Sequence, residues 1–340
     1  MPRQLHLLAD GRRDQRALEA SATTLAAAGQ PENTRLAYGR SWRDFAEWCE
    51  LNGRKALPAH PDSVRLYLAD RWDSSDGASV STLKQRRAAI RAKHREHRFP
   101  DPTQDDAVRR LWLGILTEDR RPRERKLAIM ETGLRAIIDA MDRELRVAGR
   151  FASAHDRAVD ARDRAMILVF FHGALRRAEL ARLEAEQIAA ADRGLRLRVN
   201  ASDLPQRERD VTLEYSASPI LCPVIGLEGW LRLAAIERGL VWRHVDEEGH
   251  ILPEALSPRT IYAIVVRRCA AAGIDPESCS PHSLRLGALA HAAFRGEQDD
   301  AVLKRGGLHG GRTLADLKPV LQRARSLRKA GKRAPATLPQ

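Results

Sequence analysis

The chain is 340 residues long, which is enough for two domains with separate hydrophobic cores. Its 58 lysine and arginine residues exceed its 45 acidic residues, so the formal net charge is +13. This excess favours nucleic acid over a membrane surface as the partner, and no apolar run is long enough to span a membrane. The first residues lack the apolar core of a signal peptide, and the four cysteines are scattered without a CxxC pair. We therefore expect reduced thiols, a cytoplasmic location, and neither a metal site nor another cofactor.

The N-terminal part of the chain predicts an arm followed by a helical domain. Residues 1–30 are polar and rich in alanine and arginine, with helical spacing over Arg12–Ala28. This arm is interpreted either as a contact for DNA or a neighbouring subunit, or as a solvated tail. Residues 31–116 then carry apolar stripes at helical spacing, which predict a compact helical domain with its own core. The expected helices are Arg35–Asn52, Pro61–Trp72, Ser79–Arg95 and Thr103–Leu116.

The third of these helices combines small polar residues at its start with a dense basic outer side. That pattern suits insertion into a DNA groove with phosphate contacts alongside, although an ordinary solvated basic helix shows it too. The residues predicted to bind DNA are Thr82, Lys84, Gln85, Arg86, Arg87, Arg91 and Lys93.

Residues 117–126 are a charge run with a proline and no apolar spacing, which predicts a basic interdomain linker. Its arginines suit a path along a DNA backbone between two domains. Those assigned to DNA binding are Arg121, Arg123 and Arg125.

The second domain, residues 127–322, is predicted to be mainly helical with a small β-sheet, so the fold class is α+β. Residues 156–190 predict two helices in sequence, the first of them deeply buried, and alternation predicts strands over Leu195–Val199 and Asp210–Leu213. The other expected helices are Ile129–Arg146, one within Pro219–Arg238, Arg259–Ala272, one from Pro281, one over Asp299–Lys304, and a short one at Leu314–Leu321. Residues 323–340 are basic and low in apolar residues, which predicts a tail that is disordered or docked on a partner.

Three short motifs in this domain carry side chains suited to phosphate chemistry. The first, Gly173-Ala-Leu-Arg176-Arg-Ala-Glu179-Leu180, places an arginine at the mouth of a helix. The second, His282-Ser-Leu-Arg285, follows a serine and a proline that are typical of a helix start, so its imidazole and guanidinium share the first turn. Such a pair beside a helix N-terminus suits a phosphate, although a lone HxxR is more often an exposed helix start. The third motif is Gly307-Leu308-His309.

With these motifs in this order, the chain resembles the tyrosine recombinases, also called phage integrases, from about Asn33 to Leu321. The resemblance implies a helical SAM-like core-binding domain and a catalytic domain that together clamp double-stranded DNA, in an oligomer. It also implies attack of a tyrosine on a phosphodiester to give a covalent phosphotyrosine, without metal. By resemblance, Arg176 and Arg285 would clamp the phosphate, His282 would assist proton transfer, and His309 would donate to the scissile phosphate.

The chain departs from the family pattern at two positions. The family tyrosine follows the third motif by eight or nine residues; Leu317 is the best match here, with Asp316 or Lys318 after a slip. The four tyrosines, Tyr38, Tyr67, Tyr215 and Tyr262, all precede that region and are interpreted as structural. The family's general-acid lysine is also missing, since no lysine occurs between Lys126 and Lys304. Arg207 or Arg209 could supply charge there, but an arginine is a poor proton donor.

These features leave three hypotheses for function. The preferred one is a DNA-binding member of the family, associated with the bacterial nucleoid and a mobile genetic element. It would be catalytically inactive by itself and accessory or regulatory, in a homo-oligomer or beside an active recombinase. The alternative is an active integrase whose nucleophile is unrecognised or comes from a partner subunit. The third is an unrelated helical DNA or RNA binder that matches the motifs by chance.

Overall fold

The computed structural model describes residues 32–74, 77–119, 126–200, 208–308 and 311–339. The chain divides into two compact units, and the division falls within the undescribed residues 120–125. The predicted N-terminal arm and most of the predicted linker, with Arg121, Arg123 and Arg125, lie outside the described residues.

The first unit is a helical bundle with its own core. Its helices are α1 (Glu32–Leu51), α2 (Pro61–Asp73), α3 (Val80–Glu96) and α4 (Asp106–Glu118). Side-chain caps set three of the helix starts: His60 accepts from the Asp62 amide, Ser79 accepts from the Thr82 amide, and Asp105 accepts from the Ala107 amide. The largest fully buried side chains of this core are Phe45, Tyr67, Leu68, Leu83 and Ile90.

A buried histidine ties the third helix of this unit to the loop before α2. His94 is fully buried, and its Nε2 accepts from the Ala59 amide at 2.9 Å. Its Nδ1 lies 2.8 Å from the Ile90 carbonyl oxygen, so both ring nitrogens have partners. We assign His94 a structural role.

The second unit is mainly helical, and its core surrounds one buried helix. The helices are α5 (Glu131–Ala148), α6 (Ala154–His172), α7 (Arg177–Ala181), α8 (Pro223–Leu233), α9 (Pro258–Ala271), α10 (Pro281–Arg295), α11 (Asp299–Arg305) and α12 (Gly311–Lys329). Helix α6 packs against α5, α8 and α10, and its run from Ala165 to Phe171 is at most 2% exposed. In the part of the chain that the structure describes, no helix has the length and apolarity needed to cross a membrane.

Three small antiparallel sheets complete the described part of this unit. Strands β2 (Ile188–Ala191), β3 (Gly194–Val199) and β4 (Arg209–Glu214) form the first sheet in that order, with Val199 paired to Arg209. Strands β5 (Arg243–Val245) and β6 (Ile251–Ala255) form the second. Strands β1 (Ala128–Ile129) and β7 (Thr337–Leu338) form the third. The predicted α+β fold class is confirmed.

Strand β2 stands where the sequence predicts a helix. The sequence pattern predicts two helices over residues 156–190, but residues 188–191 form β2 and pair with β3. The sequence Ile-Ala-Ala-Ala shows no polar–apolar alternation, so cross-strand pairing overrides a local helical preference here.

The predicted C-terminal tail is corrected by the structure. Helix α12 passes the expected boundary at residue 323 and ends at Lys329, and Ala324 in it is fully buried. Beyond the helix, Leu338 is 3% exposed in β7, and the Met130 amide donates to the Ala336 carbonyl at 2.9 Å. The prediction of a disordered tail is therefore wrong for residues 323–339. The end of the chain is ordered because β7 pairs with β1, a contact that the basic composition of the tail does not indicate.

Candidate functional site

The turn between α6 and α7 places Arg176 beside a buried carboxylate. Arg176 precedes the first residue of α7, and Glu179, one helical turn later, is 1% exposed. Its Oε2 accepts from the Arg176 backbone amide at 2.6 Å, and its Oε1 accepts from Arg176 Nη1 at 2.8 Å. The carboxylate therefore fixes both the backbone and the guanidinium of the first motif arginine.

The first turn of α10 supplies the second motif arginine and the histidine. Arg285 is 6% exposed; its Nη1 donates to the Ala174 carbonyl and its Nη2 donates to the Gly306 carbonyl at 2.6 Å. His282 stands at the solvent-facing side of the same turn. Partial desolvation of its ring, followed by the positive charge of Arg285, lowers the pKa of His282. The imidazole thus favours its neutral form, which suits proton acceptance.

Strand β4 brings a third arginine to this place. Arg209 donates to both oxygens of Glu179, from Nε at 3.0 Å and from Nη2 at 2.8 Å. Its Nη1 also donates to the Arg305 carbonyl at 3.0 Å. Sequence reasoning named Arg209 only as a possible source of charge and gave Glu179 no role. The three-residue spacing from Arg176 to Glu179 was the available signal for that carboxylate.

Three successive carbonyls, beginning at the last residue of α11, each accept a hydrogen bond from a different arginine. The Arg305 carbonyl binds Arg209, the Gly306 carbonyl binds Arg285, and the Gly307 carbonyl binds Arg176. Gly307 has a φ of +56°, and a Cβ there would lie 2.6 Å from Arg209 Cδ. The close approach of this turn to the arginines therefore requires glycine at position 307.

The group formed by Glu179, Arg176, Arg209 and Arg285 carries more positive than negative charge. Burial would raise the pKa of Glu179, but hydrogen bonds and charge from Arg209 and Arg176 hold it below its ordinary value, so the carboxylate is ionised. Burial, and then the charge of Arg176, lower the pKa of Arg285 to about 10, with Glu179 opposing and Arg209 adding to the effect. One carboxylate thus faces three guanidiniums, and an anion such as a phosphate would offset the remaining charge.

The predicted site residues are only partly brought together. Arg176 and Arg285 meet at the turns around Ala174 and Gly306, while His309 and the strand-connecting loop with Arg207 lie outside the described residues. Leu317, the residue predicted to match the family nucleophile, is 7% exposed and belongs to the core of the second unit. Lys318 beside it is exposed.

The basic helix of the first unit presents fewer free charges than its sequence suggests. Arg86 lies 3.4 Å from Asp44, Arg91 lies 2.7 Å from Asp101, and Arg87 stacks 5.3 Å from the Trp112 ring centre. Two further predicted residues also have partners within the unit, since Gln85 donates to Ser41 at 3.2 Å and Lys93 pairs with Glu96 at 3.0 Å. Thr82 and Lys84, near the start of the helix, are exposed.

A possible ligand set for a metal lies away from the arginines. Asp246, Glu248 and His250 have ligand atoms within 4.8 Å of one another on the turn between β5 and β6. The His250 imidazole already lies 3.0 Å from the Asp246 carboxylate, and the group is largely exposed. We assign it no metal.

His172, at the end of α6, should make stability depend on pH. Its ring packs edge-on against Phe171, and burial lowers the pKa of His172 to about 4. Between pH 6.5 and 4 the unfolded chain gains a proton there that the folded chain does not. The free energy of unfolding should therefore fall by about 2–3 kcal/mol over this range as pH decreases. Urea unfolding of wild type and His172→Gln at several pH values measures this contribution.

The variant should show a flatter dependence over the same range. A hydrogen bond from His291 holds the pKa of the Glu131 carboxyl below its ordinary value, and this group is present in both proteins. His250→Gln, on an exposed turn of the same unit, is the control and should not flatten the curve. Equal slopes for wild type and His172→Gln would contradict the assignment.

Comparison with known proteins gives the following similarities. No protein-family model matches the chain. It is 29% identical over 267 residues to an integrase/recombinase xerD homolog of Selenomonas ruminantium, covering 77% of this chain and 74% of that protein. It is 26% identical over 288 residues to the recombinase cre of Escherichia phage P1, covering 80% of this chain and 78% of that protein.

The fold is also similar to that of a solved transposon integrase. The Tn1549 transposon integrase, in complex with transposon right end DNA, superposes with a TM-score of 0.58 at 12% identity. The match covers 91% of this chain and 98% of that chain. At this identity the likeness establishes a shared fold.

Proposed function

We propose that the chain is a member of the tyrosine recombinase family, that it binds double-stranded DNA, and that it acts in site-specific recombination or integration. The net charge of +13 supports a polyanionic partner. The names of its relatives, a recombinase and an integrase/recombinase homolog, support this class of reaction. The transposon integrase with the similar fold was solved on DNA.

The arginine network around Glu179 is the observation that carries the proposal. Arg176 and Arg285 have orientations fixed by a carboxylate and by main-chain carbonyls. Guanidiniums held in this way can donate to the non-bridging oxygens of one DNA phosphate without much further loss of side-chain freedom. His282, in the same turn of α10 as Arg285, is the residue assigned to exchange a proton, and His309 is assigned to the phosphate by family resemblance alone.

We propose further that the protein holds this phosphate without forming a covalent bond to it. A leucine side chain has no nucleophilic atom, and Leu317 is packed into the core. Without a nucleophile the covalent step is lost, while a phosphate pocket still binds. The protein would then be an accessory or regulatory member of a recombination complex, as a homo-oligomer or beside an active recombinase.

The first turn of α3 is the part of the first unit best placed to meet DNA. Thr82 and Lys84 are exposed there, whereas Arg86, Arg87 and Arg91 contact other side chains of the unit. We propose that Thr82 and Lys84 contact DNA directly and that the three arginines contribute mainly through their positive potential.

A trapping assay tests the absence of cleavage. A DNA sequence selected for binding from a random pool is rebuilt as a nicked suicide substrate, incubated with the full chain, and run on denaturing and native gels. We expect a shifted band on the native gel and no protein-linked DNA on the denaturing gel. An active family member on its own site serves as the positive control.

A retained protein–DNA band would contradict the inactive assignment and favour the alternative of an unrecognised nucleophile. Tyr215 and Tyr262 are exposed, at 58% and 38%, and are the first residues to replace by phenylalanine in that case. Absence of a shifted band on the native gel would contradict DNA binding itself.

A further inference from the structure

Arg209 shares an acceptor with each of the two motif arginines. Glu179 Oε1 accepts from Arg209 Nε at 3.0 Å and from Arg176 Nη1 at 2.8 Å. The Ala174 carbonyl accepts from Arg285 Nη1 and, at 3.5 Å, from Arg209 Nη2. Arg209 is therefore in contact with the groups that orient both Arg176 and Arg285.

The donors of Arg209 are mostly used within the protein. Its Nε–H donates to Glu179, its Nη2 donates to Glu179 and to the Ala174 carbonyl, and its Nη1 donates to the Arg305 carbonyl. A guanidinium has five N–H donors, so these contacts occupy about four of them. The side chain is 15% exposed, and with these donors in use it has about one N–H left for a ligand.

The contacts of Arg209 join elements that are far apart in the sequence. The side chain starts on β4 and reaches the α6–α7 turn, α7, and the end of α11. It also fills the space over Gly307, whose absent Cβ would lie 2.7 Å from Arg209 Nε. The turn at 305–307 is thereby held against the pocket, where its next two carbonyls accept from Arg285 and Arg176.

From this geometry we infer that Arg209 is a positioning residue of the phosphate pocket, which aligns Arg176 and Arg285 through Glu179, the Ala174 carbonyl and the 305–307 turn. The inference rests on the proposed phosphate-binding function of the site. Arg209 does not replace the missing lysine as a proton donor, because an arginine does not release its proton readily and because this one is already bound on most sides.

A double-substitution cycle tests the inference. Affinity for one selected duplex is measured by fluorescence anisotropy for Arg176→Gln, Arg209→Gln and the double variant, at one salt concentration. We expect Arg176→Gln and Arg209→Gln each to weaken binding about tenfold, and the double variant to weaken it no more than about threefold further. If Arg209 bound phosphate independently, the two losses would multiply to about a hundredfold.

A charge control and a conservative variant complete the design. Arg146→Gln removes an exposed charge from the last turn of α5 and should change affinity less than about twofold. Arg209→Lys keeps the positive charge next to Glu179 but cannot bind both its oxygens and the Arg305 carbonyl together, so it should bind DNA as poorly as Arg209→Gln. Full rescue by Arg209→Lys would overturn the positioning role in favour of simple charge.

Each failure has a separate signature. If Arg176→Gln and Arg285→Gln both match the Arg146→Gln control, the proposed phosphate pocket itself is wrong. If those two lose affinity while Arg209→Gln matches the control, or the cycle is multiplicative, only the role of Arg209 is wrong.

Near-ultraviolet circular dichroism reports folding of each variant. If Arg209→Gln does not fold, the same cycle is measured with Arg209→Lys, which retains the ion pair with Glu179.

Discussion

Affinity for duplex DNA is expected to fall about a thousandfold when salt is raised from about 50 to about 200 mM. A fall of this size corresponds to release of counterions from about six phosphates, and a chain with a net charge of +13 has enough cationic side chains for that number. The measurement is fluorescence anisotropy on the selected duplex at a series of salt concentrations. A slope of log affinity against log salt near −1, or no slope, would contradict extensive phosphate contact.

Arg176 and Arg285 should account for part of the slope of log affinity against log salt. Replacing Arg176 and Arg285 together by glutamine should reduce its magnitude by about one to two, since one or two phosphate contacts are lost. The exposed Arg146→Gln variant should leave the slope nearly unchanged. If the double variant keeps the full slope, these two arginines do not contact phosphate and other basic residues account for the binding.

Much of the helical architecture could be predicted because its signals are local. Serine caps, proline at first helical positions and apolar spacing place the starts of α3, α9 and α10 within one or two residues of the structure. The pairing of β7 with β1 joins segments about two hundred residues apart, and no local pattern in the basic tail reveals it. Strand β2 was missed for the same reason, since its partner decides its conformation.

Only the residues of the candidate site that belong to sequence motifs could be predicted. Arg176 and Arg285 stand in recognisable patterns, but the carbonyls of Arg305, Gly306 and Gly307 that accept from the arginines are main-chain atoms with no sequence signature. Charge counting likewise assigns five basic residues of α3 to DNA: Lys84, Arg86, Arg87, Arg91 and Lys93. The structure shows that Asp44 and Asp101 already pair with two of them, Arg86 and Arg91. Which charges are free depends on tertiary neighbours.

Gly287→Ala should be among the most damaging single substitutions in the second unit. A Cβ at position 287 in α10 would lie 1.6 Å from the Ile129 carbonyl oxygen and 2.3 Å from its carbon. These are backbone atoms of β1, which cannot rotate away as a side chain would, so the helix and the strand must separate. We expect the free energy of unfolding to fall by about 3 kcal/mol or more, measured by urea denaturation.

Gly229→Ala is the matched control for this experiment. Gly229 lies in α8, and a Cβ there would meet no heavy atom within 4 Å. Alanine has the higher helix propensity, so this variant should be unchanged or more stable by up to about 1 kcal/mol. Similar stability for the two variants would contradict the close contact between α10 and β1.

Gly287→Ala should also disturb the phosphate pocket and the C-terminal segment at the same time. Helix α10 presents Gly287 to β1 and, half a turn earlier, Arg285 to the Ala174 and Gly306 carbonyls. Strand β1 in turn holds β7. Separation of α10 from β1 should therefore weaken DNA binding and expose residues 330–339 to proteolysis in one variant. Loss of stability with unchanged DNA affinity would instead mean that the first turn of α10 keeps its position independently of β1.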